Sequence, residues 1–237
     1  MKKIDFCFLT ICSKNYISET IGLLRNLQKI YPHKKKYIVS LDKVTQEILT
    51  EKCKKICEIL TLDNIWEKEY RINIECRMSV AEVAYSSKTA AVHFILKNYS
   101  KSVLLLDADL LILEKIDDII SFTKKNSITL TSSNQNLEEW KRTNDTGLFS
   151  AGVIGFSESS LNGVAWWKKQ CFENTNINIF SGHYNEQKFL DFFLVNYDVK
   201  ILRDSGINVS STFLKKIKPF QKKGKWYTNK NNIIRIF

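Results

Sequence analysis

Proline and glycine are scarce in this sequence, which has 2 and 8 of them among 237 residues. Collagen-like chains, flexible linkers and disordered proteins are rich in these residues, so those classes are excluded. No apolar run approaches the roughly 20 residues that span a bilayer. The apolar stretch near the amino terminus is also too short for the core of a secretion signal. We therefore expect a globular protein of the cytoplasm.

Cysteine is present but lacks the spacing of a metal site or of a disulfide framework. The six cysteines form no Cys-x-x-Cys pair, and no histidine follows them at zinc spacing. Two of them lie in an apolar stretch, where a free thiol behaves as a small hydrophobic group. With 44% hydrophobic residues, the chain is suited to one globular domain with reduced thiols.

Acidic residues are fewer than basic ones, 25 against 36, and the formal net charge is +11. A basic excess suits nucleic acid, an anionic membrane surface or an anionic small substrate. The densest basic stretch, residues 213–227, interleaves six lysines with Phe213, Phe220, Trp226 and Tyr227. This mixture favours contact with phosphate or phospholipid headgroups, although a solvated lysine-rich segment explains it equally well. Because no nucleic-acid-binding motif is present, we expect no nucleic acid partner and keep a basic nucleic-acid-binding domain only as an alternative.

Hydrophobic periodicity predicts alternating strands and helices. Strands are expected at residues 4–10, 37–41, 128–132, 149–156 and 199–202, and helices at 17–31, 44–59, 88–99, 161–172 and 186–195. Residues 102–113 form a long hydrophobic run that begins as a strand and is broken by two aspartates. Alternation of this kind indicates βαβ units and a mostly parallel sheet. The nearly continuous apolar strands are typical of a sheet that is covered on both faces. The sequence thus predicts a single α/β domain.

Two aspartates, Asp107 and Asp109, interrupt a long apolar run at residues 104–113. Burying carboxylates is costly unless they are paired or bind a cation. At the carboxyl end of a strand in an open α/β sheet, two carboxylates can hold a divalent cation and the phosphates of a ligand. The alternative is a turn or a helix cap, which the flanking leucines disfavour. A phosphatase of the haloacid dehalogenase type is disfavoured because its nucleophilic aspartate lies near the amino terminus.

Four stretches carry a resemblance to a known family. They are residues 8–16 (FLTICSKNY), 105–113 (LLDADLLIL), 149–156 (FSAGVIGF) and 185–191 (NEQKFLD), with 204–209 (DSGINV) as a shorter fifth. In this order they resemble the bacterial family 8 type of GT-A glycosyltransferases, which transfer sugars from nucleotide donors with retention. The resemblance implies a GT-A fold with a mostly parallel sheet in one domain, comprising a nucleotide-binding half (1–113) and a donor-sugar and acceptor half (114–237).

The resemblance also implies a role for each matching residue. The base and ribose would be held by Thr10, Asn15 and Tyr16. Mn²⁺ or Mg²⁺ would bind to Asp107 and Asp109 together with the diphosphate, which Lys88 would also contact. The donor sugar would lie beside Ser150, Ala151 and Gly152, and its hydroxyls would be held by the catalytic residues Glu186 and Gln187. Simpler structural explanations exist for several of them: an exposed lysine at a helix start, an aromatic ring packed on a helix, small residues in strand packing, and an acid in a first helical turn.

The sequence departs from the family pattern at three places. Ser150 stands where an asparagine is usual, and Glu186 where an aspartate is usual. The family's third metal ligand is a histidine that follows an apolar strand, and the chain ends at Phe237 where that histidine is expected. The resemblance leaves open whether the chain is truncated or another group completes the metal shell.

The sequence therefore predicts a metal-dependent glycosyltransferase. We expect a UDP-hexose donor and a glycan acceptor such as lipopolysaccharide or capsule, carried on a lipid at the inner face of the cell membrane. The alternatives are a donor-binding pseudoenzyme and a sugar nucleotidyltransferase. The nucleotidyltransferase is disfavoured because residues 11–16, where such enzymes have a glycine-rich phosphate loop, contain no glycine.

Overall fold

A seven-stranded sheet organises the protein, for which a computed structural model describes residues 2–68, 70, 79–133, 140–173, 177–178, 183–209, 214 and 217–237. The strands of this sheet are β1 (Cys7–Cys12), β2 (Lys35–Ser40), β3 (Glu58–Thr61), β4 (Ser102–Leu106), β5 (Ile128–Ser132), β6 (Phe149–Ser157) and β9 (Val199–Leu202). Their spatial order is β3-β2-β1-β4-β6-β5-β9. Strand β6 runs antiparallel to β4 and β5, and the other pairs are parallel. The predicted mostly parallel sheet is thus confirmed.

Two short hairpins and the helices complete the described structure. The hairpins are β7 (Ile177–Asn178) with β8 (His183–Tyr184), and β10 (Phe220–Lys222) with β11 (Lys225–Tyr227). The helices are α1 (Ile17–Ile30), α2 (Lys43–Cys53), α3 (Leu62–Ile65), α4 (Val80–Asn98), α5 (Asp117–Lys125), α6 (Trp140–Thr146), α7 (Leu161–Glu173) and α8 (Phe193–Asn196). Within the described ranges, no helix combines the length and the hydropathy that crossing a membrane requires.

Both faces of the sheet are covered, as the apolar strands predict. On one face, Leu9 and Ile11 of β1 pack into the same buried cluster as Val92 of α4 and Trp167 of α7. On the other face, Phe8 joins the cluster that includes residues of α1 and α5. The alternation follows from the two-residue period of a strand, which sends successive side chains to opposite faces.

Several element boundaries differ from the periodicity-based prediction. Helix α2 ends at Cys53, and Ile59 lies in strand β3 instead of the predicted helix, because a short apolar run fits either period. Helix α4 begins at Val80, eight residues before the predicted start. A capping box causes this early start, since the Ser79 side chain accepts from the Glu82 amide while the Glu82 side chain accepts from the Ser79 amide. The predicted helix at 186–195 is a 3-10 turn, Lys188–Phe192, followed by α8.

The described cysteines are buried and unbonded, as the sequence predicts. Cys7, Cys12, Cys53, Cys57 and Cys171 form no disulfide, and Cys76 lies outside the described residues. Burial raises the pKa of the Cys7 thiol to about 12, so this thiol stays protonated and unreactive at neutral pH.

The segment 233–237 lies against the chain that follows the two aspartates. The Phe237 amide donates to the Leu111 carbonyl (2.9 Å), and the Leu113 amide donates to the Arg235 carbonyl (2.8 Å). The Arg235 guanidinium binds both carboxylate oxygens of Asp118 (2.6 and 2.7 Å) and one of Asp204 (3.0 Å). These contacts hold the chain directly after Asp109 against the body of the protein.

Gly206 allows the close approach of this segment, which gives a test of its importance. A Cβ atom on Gly206 would lie 1.9 Å from the Ile233 carbonyl oxygen. We expect Gly206→Ala to lower the free energy of unfolding by about 1–3 kcal/mol, as measured by urea denaturation. The control is Gly22→Ala in α1, where a Cβ meets nothing within 4 Å and a gain of about 0.5–1 kcal/mol is expected. Equal stability of the two variants would contradict this packing.

Candidate active site

Asp107 and Asp109 lie at the carboxyl edge of the sheet, directly after β4. The Asp107 amide donates to the Gly152 carbonyl (2.9 Å), and the Leu110 amide donates to the Asp107 carbonyl (3.4 Å). Residues 108–109 form a turn, so the expectation that the flanking leucines exclude a turn is wrong. After the turn Leu110 is buried and Leu111 and Leu113 are exposed, while the backbone of residues 111–113 pairs with the segment 233–237.

Lys88 of α4 connects two parts of the site that are distant in sequence. Its ammonium lies 2.7 Å from Asp107 Oδ1 and 2.7 Å from Glu186 Oε1. Burial alone would lower the pKa of Lys88, but the charges of Asp107 and Glu186 outweigh it and raise that pKa above its usual range. Lys88 is therefore a permanently charged link between the two carboxylates, and not the exposed helix-start lysine of the simpler explanation.

Glu186 is almost completely buried, with 1% of its surface exposed. One carboxylate oxygen accepts from Lys88, whereas Oε2 has no hydrogen-bond partner among the described residues. The backbone around it is held firmly, since the Trp167 indole donates to the Glu186 carbonyl (2.9 Å). The preceding residue, Asn185, has a φ of 43°, and its side chain accepts from the Gln187 amide. Asparagine tolerates this left-handed conformation better than most residues.

The Gln187 side chain joins two neighbouring segments of backbone. Its Oε1 accepts from the Ala151 amide (3.2 Å), and its Nε2 donates to the Thr146 carbonyl (2.8 Å). A few residues along the chain, Asp191 Oδ1 accepts from the Leu148 amide (2.9 Å). The structure thus gives Gln187 and Asp191 positioning contacts on the chain that leads into β6. The contact of Gln187 with sugar hydroxyls stays a prediction.

The start of β6 is packed tightly against Asn208. The side-chain Nδ2 of Asn208 donates to Ser150 Oγ. A Cβ atom placed on Gly152 would lie 2.6 Å from Asn208 Oδ1. Gly152 is therefore required by packing against Asn208, which favours the simpler explanation for this glycine. Ala151 is buried in the main core cluster.

A cleft of about 230 Å³ opens between α4, the turn at Asp109 and the loop after β1. Its lining combines apolar, aromatic and charged side chains: Ile11, Ser13, Tyr16, Leu41, Ala84, Tyr85, Lys88, Asp107, Ala108 and Asp109. Tyr16 is 46% exposed at its rim. The Tyr16 ring is thus accessible to a planar ligand.

Two of the predicted nucleotide contacts lie elsewhere. Thr10 is buried and does not line the cleft, because it points to the opposite face of β1 from Ile11, which does line it. The Thr10 hydroxyl has no hydrogen-bond partner among the described residues. Asn15 is exposed and is also absent from the lining. Their roles stay predictions.

The two aspartates repel each other across the turn. Burial and the nearby charge of Asp107 raise the pKa of Asp109 above its usual value. A cation between the two would relieve this repulsion. Among the described residues, no histidine, no cysteine and no further acid joins the two aspartates in a cluster that could hold a metal.

Sequence reasoning missed several residues of the cleft. Ala84 and Tyr85 precede Lys88 by four and three residues, so all three lie on one face of α4. That signal was lost because the predicted helix began only at Lys88. Ser13 and Leu41 enter the lining from the loops after β1 and β2, where nothing in their residue types marks a site.

Comparison with known proteins shows what kind of fold surrounds this cleft. No protein-family model and no curated protein sequence matches the chain. Solved glycosyltransferases do match it in structure. The galactosyltransferase LgtC, in complex with donor and acceptor sugar analogues, has a TM-score of 0.60 at 11% identity over 86% of this chain and 76% of its own. Mouse xyloside xylosyltransferase 1 has a TM-score of 0.60 at 13% identity over 90% of both chains.

A third match is the glycosyltransferase GlyE of Streptococcus pneumoniae TIGR4. It has a TM-score of 0.55 at 14% identity over 86% of this chain and 46% of its own. The predicted GT-A fold of nucleotide-sugar glycosyltransferases is thereby confirmed.

The buried link through Lys88 gives a prediction about stability and pH. We expect Lys88→Met to lower the free energy of unfolding by about 3 kcal/mol at neutral pH, because it leaves Glu186 charged and unpaired. Because a buried carboxylate without a counter-ion favours its neutral form, the cost of losing the ammonium is largest where carboxylates are ionised and smaller where they are protonated. The difference in the free energy of unfolding between Lys88→Met and the wild type, measured by urea titration, should therefore become smaller when the pH is lowered from about 8 to about 5.

Lys88→Arg is the matched control, since it keeps the charge. It should retain most of the stability and show the wild-type pH dependence. A Lys88→Met deficit that is the same at both pH values would contradict the charge pairing.

Proposed function

We propose that this protein is a metal-dependent glycosyltransferase that moves a hexose from a UDP-sugar to a glycan acceptor, with retention of configuration. One observation carries the proposal: Asp107, Asp109, Lys88 and Tyr16 line one cleft at the carboxyl edge of the sheet. This edge is where open α/β sheets bind their ligands. The fold, shared with solved glycosyltransferases, supports the same activity.

The residues present suit a divalent cation. Two carboxylates offer the oxygen ligands that Mn²⁺ and Mg²⁺ prefer, and their mutual repulsion favours a cation between them. Such ions commonly take one or two carboxylates from the protein and the rest of their ligands from substrate phosphates. Asp107 and Asp109 would hold the ion, which would neutralise the charge that grows on the departing diphosphate.

Lys88, which lines the cleft beside Asp107, and the buried Glu186 that is bonded to it would also act on the donor. The ammonium of Lys88 is close to Asp107, and in our proposal it adds positive charge beside the diphosphate. The unpartnered Oε2 of Glu186 offers an acceptor for a sugar hydroxyl after a small side-chain movement. Gln187 and Asn208 would hold the small residues at the start of β6 beside the sugar.

The transfer then exchanges one bond at the anomeric carbon for another. The bond to the diphosphate oxygen breaks, and the acceptor hydroxyl oxygen bonds to the same face of the sugar. The hydroxyl proton passes to the departing phosphate oxygen. Retention by this route needs no protein side chain as a strong base, and in our proposal Glu186 binds rather than accepts the proton.

The aspartates provide the decisive test. With Mn²⁺ present, UDP should raise the melting temperature of the wild type, and UDP-hexose should be slowly hydrolysed to UDP. We expect Asp107→Asn and Asp109→Asn each to weaken Mn²⁺-dependent UDP binding at least about tenfold, because one charged ligand is lost. Asp117→Asn, in an exposed first helical turn, is the control and should bind UDP as the wild type does. Unchanged binding in both site variants would refute the proposal.

The products of the same reactions separate the alternatives. A transferase releases UDP from UDP-hexose, whereas a sugar nucleotidyltransferase releases pyrophosphate from UTP and a sugar phosphate. A donor-binding pseudoenzyme would bind UDP with Mn²⁺ and release neither product. Product analysis by ion-exchange chromatography distinguishes the three.

We further propose that the β10–β11 hairpin contacts an anionic membrane, which would bring the enzyme to a lipid-linked acceptor. Phe220 and Trp226 are exposed, and Phe220 stacks on Tyr227 with ring centroids 5.6 Å apart. The exposed Lys222 ends β10, and the exposed Lys223 lies in the turn that follows it. Lysines beside exposed aromatic rings suit the headgroup region of a membrane. The remaining part of the predicted stretch, residues 213 and 215–216, lies outside the described residues.

Vesicle binding tests this surface. We expect Lys222→Ala/Lys223→Ala to weaken binding to phosphatidylglycerol vesicles about 10- to 30-fold, since each lysine near such a surface contributes about 1 kcal/mol. The control is Lys124→Ala/Lys125→Ala in α5, which removes the same charge and should change binding less than about threefold. Equal losses in both variants, or tighter binding to an oligonucleotide than to vesicles, would contradict the membrane assignment.

A further inference from the structure

A second cavity, lined largely by basic residues, lies at the edge of the sheet opposite to the aspartates. It has a volume of about 280 Å³ and lies where β2 and β3 begin. Five lysines and one acid are in its lining: Lys34, Lys35, Lys36, Lys54, Lys55 and Glu58. Because β2 runs parallel to β1 and β4, its amino end lies about 20 Å from the edge that carries Asp107.

Lys36 brings a buried positive charge to this cavity. It is 2% exposed, and its ammonium donates to Gln28 Oε1 (2.8 Å), the Tyr31 carbonyl (2.8 Å) and the Lys34 carbonyl (2.9 Å). All three acceptors are neutral, and no carboxylate of the described residues lies within 4.0 Å of the ammonium. Burial lowers the pKa of Lys36, as is usual for a cation without a counter-ion.

The other lysines leave this charge largely uncompensated. Glu58 lies 2.8 Å from Lys35 and is already engaged there. Lys34 faces the ring of Phe6 at 5.8 Å. Lys54 and Lys55 are exposed just after α2 and form no ion pair with any acid that the structure describes. Five lysines and a single acid thus line the cavity.

We infer that this cavity binds a phosphate-bearing anion, at a site separate from the proposed donor site. Phosphate oxygens accept charge-assisted hydrogen bonds from several ammonium groups at once. The cavity lies just below the usual range of ligand pockets, which suits a small ligand. The hydrogen bonds of Lys36 to the Gln28 side chain and to the Tyr31 and Lys34 carbonyls hold its charge in place beside the cavity. A purely structural lysine would cap those carbonyls but would predict no anion binding.

Pyrophosphate titration without metal tests the site. At constant ionic strength and with chelator present, calorimetry should show saturable binding of pyrophosphate to the wild type. We expect Lys54→Ala/Lys55→Ala to weaken it at least about tenfold. Lys124→Ala/Lys125→Ala, another pair of adjacent lysines near a helix end, should change it less than twofold. No saturable binding, or equal weakening in both double variants, would overturn the assignment, and neither result bears on UDP binding at the aspartates.

Two further measurements complete the experiment. Lys36→Met keeps the aliphatic stem and should abolish pyrophosphate binding. If this variant melts like the wild type yet binds pyrophosphate unchanged, Lys36 has no part in the site and the inference fails. Phosphatidic acid vesicles distinguish a lipid phosphate from a free one: vesicles that displace pyrophosphate from the wild type support a headgroup, and vesicles that leave it bound support a soluble phosphate.

Discussion

The site depends on one ammonium group held between two carboxylates. Lys88 on α4 bonds to Asp107 after β4 and to Glu186 after β8, and thereby joins three regions that are far apart in the sequence. Glu186 is buried and would be unstable there as an unpaired anion. The lysine is in turn kept charged by its partners. The buried Lys88 and Glu186 are therefore tolerated in their positions because each has a partner of opposite charge.

Around this link, backbone contacts hold the aspartates in place. The Asp107 amide is bonded to Gly152 on the neighbouring strand, and the residues after Asp109 pair with the segment 233–237. Arg235 then fastens that segment to Asp118 and Asp204. A turn that carries two repelling carboxylates is thus braced on both sides. Such preorganisation is what a site needs if it is to place a cation and a diphosphate accurately.

Charge is unevenly distributed over the two edges of the sheet. The carboxyl edge gathers Asp107, Asp109 and Glu186 around a single lysine, whereas the amino edge gathers five lysines around Glu58. The mostly parallel arrangement of the strands gives the sheet two distinct edges, because it places most strand beginnings on one side and most strand ends on the other. A net charge of +11 describes neither edge, and only the position of each charge has functional meaning.

The sequence alone determined the α/β class, the covered parallel sheet and the placement of the two aspartates at a strand end, because apolar periodicity and the cost of burying carboxylates are local properties. It also singled out Lys88 and Glu186, through family resemblance, as separate contacts. Only the tertiary structure decided that Lys88 and Glu186 touch and that the side-chain amide of Gln187 bonds to backbone. It also decided that Thr10 faces away from the cleft and that residues 108–109 form a turn. The physical reason is that strand order and helix packing bring together residues as far apart in sequence as Lys88 and Glu186, and such long-range contacts leave no periodic signal in the sequence.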